Sequence, residues 1–252
     1  KSAMDNNITK YPPVNGFPEL RKAISDKLQR ENNASFSPEQ IVVSTGAKQS
    51  LINIVLATVN PGDEVVIPAP FWVSYPEMVN VAGGTVVEIT TDIQAGFKVS
   101  PTQLENALTA KSKLVIISSP SNPTGAMYTP QEMEAIAAVI ARYPHVTLIS
   151  DEIYEYITYG KDFKSFGTIP SIKDQLVIVN GVSKGFAMTG WRLGFCAAPL
   201  PLAQAMTKIQ GQFTSGASSI SQMAAKKAFE MGRDTVRYMV ESFEERRDYL
   251  VE

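Results

Sequence analysis

The chain has 252 residues, 44% of them apolar and 19% charged, which suffices for the core of one large α/β domain or two small ones. Its net charge of −2 gives no electrostatic basis for binding nucleic acid or an anionic membrane. No apolar run reaches the roughly 20 residues of a membrane helix, and the single cysteine, Cys196, excludes an internal disulfide and fits a reducing, cytoplasmic setting.

Residues 1–10 are polar and lack the apolar stretch of a signal peptide. Beyond them, the spacing of apolar residues predicts a helix over 17–32, a strand over 41–44, a helix over 47–59 and a strand over 64–68. A helix over 70–81, a strand over 85–90, a helix over 100–108 and a strand over 114–118 follow. Then come a helix over 130–143 and strands over 146–150, 176–180 and 193–197. Helices over 199–212, 219–231 and 233–251 complete the pattern. Pro61-Gly62-Asp63 and Ala82-Gly83-Gly84 are turns between elements. The strands are continuous apolar runs rather than alternating ones, as expected when helices cover both faces. The alternation of strands and helices predicts an α/β fold: a mostly parallel, doubly wound sheet of about seven strands with helices on both faces. Cys196 falls in the apolar run 193–198 and reads as a small buried residue. The last helical pattern reaches Glu252 without a C-cap, so the chain is expected to be a piece of a longer protein. Arg233, Arg237, Arg246 and Arg247 fall on that helix and read as solvated.

In an open α/β sheet, ligands bind beyond the carboxyl ends of the strands. Asn122 follows the strand at 114–118, Asp151 and Tyr154 follow the one at 146–150, and Lys184 follows the one at 176–180. Parallel strands would gather these four residues at one edge. His145 precedes its strand and reads as a surface residue at the opposite end of the sheet.

Several of these side chains carry chemistry. Thr45-Gly46-Ala47-Lys48-Gln49 joins a strand to a helix, where exposed amides and the helix dipole can bind phosphate. Lys48 adds charge there or is solvated. Trp72 follows a strand, and its indole either stacks on a planar ring or packs in the core. Asn122 lies in a loop stiffened by Pro120 and Pro123, which aims the amide or simply forms a turn. An aspartate directly after a buried strand is costly unless paired, so Asp151 either meets a cationic ring nitrogen or caps a helix. Tyr154 reaches the same ring or packs as an ordinary aromatic. Lys184 lies just past an apolar run, among small residues, where an amine held out of water can lose its proton and attack a carbonyl. Arg192, eight residues on, can give a bidentate contact to phosphate. Tyr11 sits on an arm stiffened by Pro12 and Pro13, with no role legible in the pattern. No metal site is expected.

Gly-Ala-Lys at 46–48, Asn-Pro-Thr-Gly at 122–125, Asp-x-x-Tyr at 151–154 and the stretch Lys184 to Gly194 stand in a familiar order. The chain closely resembles the class I/II aminotransferases, pyridoxal phosphate (PLP) enzymes of fold type I. All of it, residues 1–252, looks like their PLP-binding large domain. It is most similar to the bacterial aspartate aminotransferase branch, with Tyr-x-Pro-x-x-Gly at 11–16 and Met-Thr-Gly-Trp-Arg at 188–192. The resemblance implies that Lys184 carries PLP covalently and that Asp151 pairs with the pyridine nitrogen. Asn122 and Tyr154 would bond the ring oxygen, and Trp72 would stack on the ring, with Trp72 and Asn122 also meeting substrate. Gly46, Ala47, Lys48 and Arg192 would surround the phosphate, and Tyr11 would reach the phosphate of a neighbouring subunit in a homodimer. The implied reaction moves an amino group between an amino acid, aspartate or similar, and a 2-oxo acid. A segment before Lys1 and a C-terminal small domain carrying a carboxylate-gripping arginine are implied to complete the protein. Gly181 stands where other branches carry serine, a contact that would be either lost or taken over by Ser183. The same cofactor residues also serve PLP-dependent β-lyases and the aminotransferase-like ligand-sensing domains of some regulators.

Overall fold

The computed structural model describes residues 1–252. The strands are β1 (Ile41–Ser44), β2 (Glu64–Ala69), β3 (Thr85–Thr90), β4 (Ser112–Ser118), β5 (Thr147–Asp151), β6 (Leu176–Gly181) and β7 (Gly194–Ala197). They form one seven-stranded sheet in the order β1-β7-β6-β5-β4-β2-β3. β2, β3, β4, β5 and β6 are mutually parallel, and β7 is antiparallel to both of its neighbours, β6 and β1. β1 therefore runs in the same direction as β6. The helices are α1 (Ser2–Asp5), α2 (Pro18–Asn32), α3 (Ala47–Thr58), α4 (Ser74–Val81), α5 (Pro101–Ala107), α6 (Pro130–Ile140), α7 (Leu200–Phe213), α8 (Ser219–Met231) and α9 (Arg237–Val251). None is long and apolar enough to cross a membrane.

Side-chain alternation divides the core between the two faces of the sheet. Val115 and Ile117 of β4 point into a cluster built with Leu20, Ile24 and Leu28 of α2, Met133 and Ile136 of α6, and Phe229 of α8. Leu114 and Ile116 point the other way, into a cluster with Leu51, Ile54 and Val55 of α3, Met78 and Val79 of α4, and Met206 of α7. Burial on both faces is why the central strands are uniformly apolar, and it is the doubly wound arrangement the sequence predicts. Cys196 lies fully buried in the second cluster, its Sγ 3.7 Å from Met206 Sδ, and burial pushes its thiol up to about 12. Local signals set several helix starts. Ser100 with Gln103 and Thr129 with Glu132 form capping boxes, each followed by a proline at the first helical position.

Several boundaries differ from the sequence expectation, three of them with a clear physical or functional consequence. The helix predicted over 70–81 begins only at Ser74. Pro76 has no N–H and tolerates only the first turn of a helix, so residues 70–73 stay outside it as a loop. β5 extends to Asp151, which lies beside Ser118 of β4 and Val179 of β6. The pattern over 233–251 is a 3-10 turn, Arg233–Val236, followed by α9. Arg233 is not simply solvated. Its guanidinium lies 5.6 Å from the Tyr156 ring centroid and donates to the Glu155 carbonyl at 3.2 Å. Along α9 no residue is buried, and Phe243 and Leu250 are exposed. His145 is exposed, with its Nε2 3.2 Å from the Thr109 carbonyl.

Candidate active site

The parallel run of strands brings the chemically distinctive segments to one edge. Residues 45–48 follow β1, residues 70–73 follow β2, residues 119–122 follow β4, Asp151 ends β5, Lys184 follows β6, and Arg192 precedes the antiparallel β7. Between them lies a cavity of about 310 Å³. Ala47, Lys48, Trp72, Asn122, Asp151, Tyr154, Lys184 and Arg192 all line it. So do Tyr75, Ser118, Ile153, Ser183 and Thr189.

One part of the cavity is built by backbones brought unusually close. Gly46 has φ +83°, and a Cβ there would sit 2.5 Å from Arg192 Nη2, so the guanidinium lies against a bare α-carbon. Arg192 itself has φ +51° and donates from Nη1 to the Thr189 carbonyl at 3.0 Å. Gly194 lets β7 press against the first turn of α3, because a Cβ there would collide with the Ala47 amide. Gly181 faces Gly194 in register, and a Cβ on it would sit 2.8 Å from the Gly194 α-carbon. A serine at 181 would have to push these strands apart. Ser183 instead lines the cavity. The result is a helix N-terminus with exposed amides, an arginine and the Lys48 amine around one space, which is a site for an anion.

Asp151 supplies the opposite charge. It is buried, accepts a 2.7 Å hydrogen bond from Tyr75 Oη and a 3.2 Å bond from the Ile153 amide, and has no cation among its partners. Burial raises its carboxyl above the usual aspartate range, against the pull of those two bonds. A buried carboxylate facing a cavity without a countercharge suits a ligand that brings a cation. Burial and the Asp151 charge likewise hold the Tyr75 hydroxyl well above the ordinary phenol range, so it stays a donor.

The aromatic and amine groups also converge. Trp72 meets Tyr75 edge to face with centroids 5.5 Å apart, and Lys48 Nζ lies 4.7 Å from the Trp72 centroid. Lys184 Nζ lies 5.6 Å from the centroid of Tyr154. The donor set therefore combines an amine, a buried carboxylate, an anion cradle and a face for a planar ring.

The family described as aminotransferase class I and II matches residues 1–252. The chain belongs to the class I and II aminotransferases. It is 53% identical over 254 residues to a bifunctional aspartate aminotransferase and glutamate/aspartate-prephenate aminotransferase of Petunia hybrida, covering 99% of this chain and 53% of that protein. It is 49% identical to a probable aspartate/prephenate aminotransferase of Rhizobium leguminosarum bv. phaseoli, covering 99% and 63%. Among solved structures, the aspartate aminotransferase of Rhizobium meliloti superposes with a TM-score of 0.97 at 43% identity, covering 99% of this chain and 63% of that one. This aminotransferase chain thus spans between about half and two thirds of the length of these relatives.

Within this aminotransferase chain, eight of the ten residues singled out from sequence line the cavity, and Gly46 abuts it through Arg192. Tyr11 stands apart, 94% exposed on its arm. Tyr75 was not anticipated. It lies three residues past Trp72, in the first turn of α4, and its distinguishing feature is the hydroxyl that reaches Asp151.

Proposed function

We propose that this chain is the PLP-binding large domain of a transaminase, which moves an amino group between an amino acid and a 2-oxo acid. The relatives' names favour aspartate or a similar dicarboxylic amino acid. One observation carries the reading: Asp151, buried and without a cation, shares a cavity with Lys184 and the anion cradle. PLP presents a ring nitrogen, a carbonyl and a phosphate, which are the complements of those groups.

When bound, PLP supplies an electron sink for the pair left as a proton departs from the substrate α-carbon. The chain's residues do the rest. The Lys184 amine holds the cofactor covalently. The same amine would serve as the base toward the substrate α-carbon proton and then as the acid that gives that proton up. The Asp151 carboxylate keeps the ring nitrogen protonated, and Tyr75 keeps that carboxylate charged and oriented. Asn122 and Tyr154 donate to the ring oxygen. Trp72 stacks on the ring and, with Asn122, borders the substrate. Gly46, Ala47, Lys48 and Arg192 hold the phosphate. Tyr11, exposed at the end of a proline-stiffened arm, reaches the phosphate site of a second copy, making the working unit a homodimer. The single buried cysteine fits a reducing cytoplasmic compartment.

The test is a visible spectrum of the chain mixed with PLP, alongside Lys184→Ala. A shifted absorption band is expected that Lys184→Ala lacks and that borohydride fixes onto Lys184. Free-cofactor spectra from both proteins would remove this chain from the PLP-binding members of its family.

A further inference from the structure

We propose that Gln210 is a positioning residue that locks the phosphate cradle to the arm carrying Tyr11 and so sets how well the cavity takes a phosphate ester. The proposal rests on the cofactor assignment above.

Gln210 lies in α7, away from the cavity, with no exposed surface. Its Nε2 donates to the carbonyls of Val14 at 2.7 Å and Val43 at 2.8 Å. Its Oε1 accepts from Ser44 Oγ at 2.7 Å and Asn53 Nδ2 at 3.0 Å. That is the full capacity of a carboxamide, two donors and two lone pairs. The four partners belong to three separate parts of the molecule. Val14 is on the arm, Val43 and Ser44 end β1, and Asn53 is on α3.

Each of those parts leads into the cofactor site. Ser44 is followed directly by Thr45 and Gly46. Asn53 belongs to the helix whose first amides bound the cavity. Val14 lies three residues beyond Tyr11. One planar, fully bonded group thus sets the strand end, the helix and the arm relative to one another. α7 also reaches the cradle a second time. The Thr45 amide donates to Gln49 Oε1 at 2.6 Å, and Gln49 is hydrogen-bonded to Thr214 at the end of α7. The Val43 amide meets the Asn15 carbonyl at 3.1 Å, joining arm to strand directly.

Hydrogen bonds from backbone amides to a phosphate weaken steeply with angle and distance, whereas ring stacking tolerates small shifts. Loosening this node therefore falls on the phosphate and spares the ring. Leucine at 210 removes all four bonds, and glutamate turns a carboxylate toward two carbonyls. Neither can replace the amide.

The experiment compares PLP with pyridoxal, which lacks the phosphate, by titrating each into the chain and following the Lys184-dependent band. Gln210→Leu is expected to raise the Kd for PLP about tenfold or more while leaving pyridoxal within about twofold. Ser44→Ala removes one contact, and it should lower the PLP preference in the same sense by a smaller factor. Parallel weakening of both ligands, or an unchanged PLP-to-pyridoxal ratio in either folded variant, would make Gln210 a packing residue only. If Gln210→Leu does not fold, the ratio in Ser44→Ala decides. A wild-type chain that forms no band with either ligand overturns the cofactor assignment, and this proposal with it. A wild-type chain that prefers PLP while either folded variant keeps that preference in full overturns this proposal alone.

Discussion

Tyr75 donates its phenolic proton to a carboxylate that has no other side-chain partner. Tyr75→Phe would keep the ring, its edge-to-face contact with Trp72 and the buried volume, and would delete one charge-assisted bond of 2.7 Å. Such bonds contribute about 1.5–3 kcal/mol. The carboxyl of Asp151, already raised by burial, would rise further and hold a cationic ring nitrogen less firmly. On the proposed function, kcat/KM of the full-length protein for amino-group transfer at neutral pH is expected to fall about ten- to a hundredfold, with the Lys184-dependent band still forming. An unchanged rate would reduce Tyr75 to packing. The role of this residue was not legible in the sequence, because nothing in a run of aromatics says which one faces a carboxylate 76 residues away. Asp151 was legible for a physical reason. A charge at the end of an apolar strand has to be answered by something.

At the scale of elements, α2 buries a lysine. Lys27 shares the inward stripe of Leu20, Ile24 and Leu28 and has no exposed surface. Its amine pairs with Glu155 and donates to Asn32 Oδ1 at 2.8 Å, while Asn32 Nδ2 donates to the other Glu155 oxygen at 2.7 Å. This closed triangle anchors α2 to the segment that starts with Asp151 and Tyr154. Lys27→Met would leave the Glu155 charge buried without its cation, held only by Asn32, a defect of about 3–5 kcal/mol. Adding Glu155→Gln to Lys27→Met removes the stranded charge, so the double variant should be more stable than Lys27→Met alone. Urea unfolding of the two single variants and the double one checks this. Additive losses would mean the pair is not coupled. The periodicity of α2 was readable, but the partner of Lys27, 128 residues on, was not. The strands were readable because burial on both faces leaves little choice but apolar residues. Their ends drifted by a residue or two where polar residues such as Ser112 and Asp151 continue the ladder.

For the whole molecule, the gathering of the site at one sheet edge was legible as soon as the strands were taken as parallel. The antiparallel insertion of β7 between β1 and β6 was not, because a buried strand has the same apolar run in either direction. Global stability should carry the mark of another buried group beside the site. Glu152 Oε1 accepts from Ser165 Oγ at 2.7 Å and Ser150 Oγ at 2.9 Å, and Oε2 has no partner. Burial pushes this carboxyl up to about 8, from an ordinary value of 4.5, with the neighbouring Glu155 charge adding to the rise and the serines and Lys27 opposing it. Between those values the folded chain holds a proton that the unfolded chain has released. Stability is therefore greatest below the ordinary value and falls as pH rises through about 8, by at most about 1.4 kcal/mol per pH unit for this group. Asp151, also raised by burial, adds a slope of the same sign. Glu152→Gln keeps an acceptor for both serines and cannot titrate. Denaturant midpoints measured from pH 5 to 9 should decline more shallowly for Glu152→Gln than for the unaltered chain. Superimposable profiles would mean that Glu152 is already ionised in the folded protein.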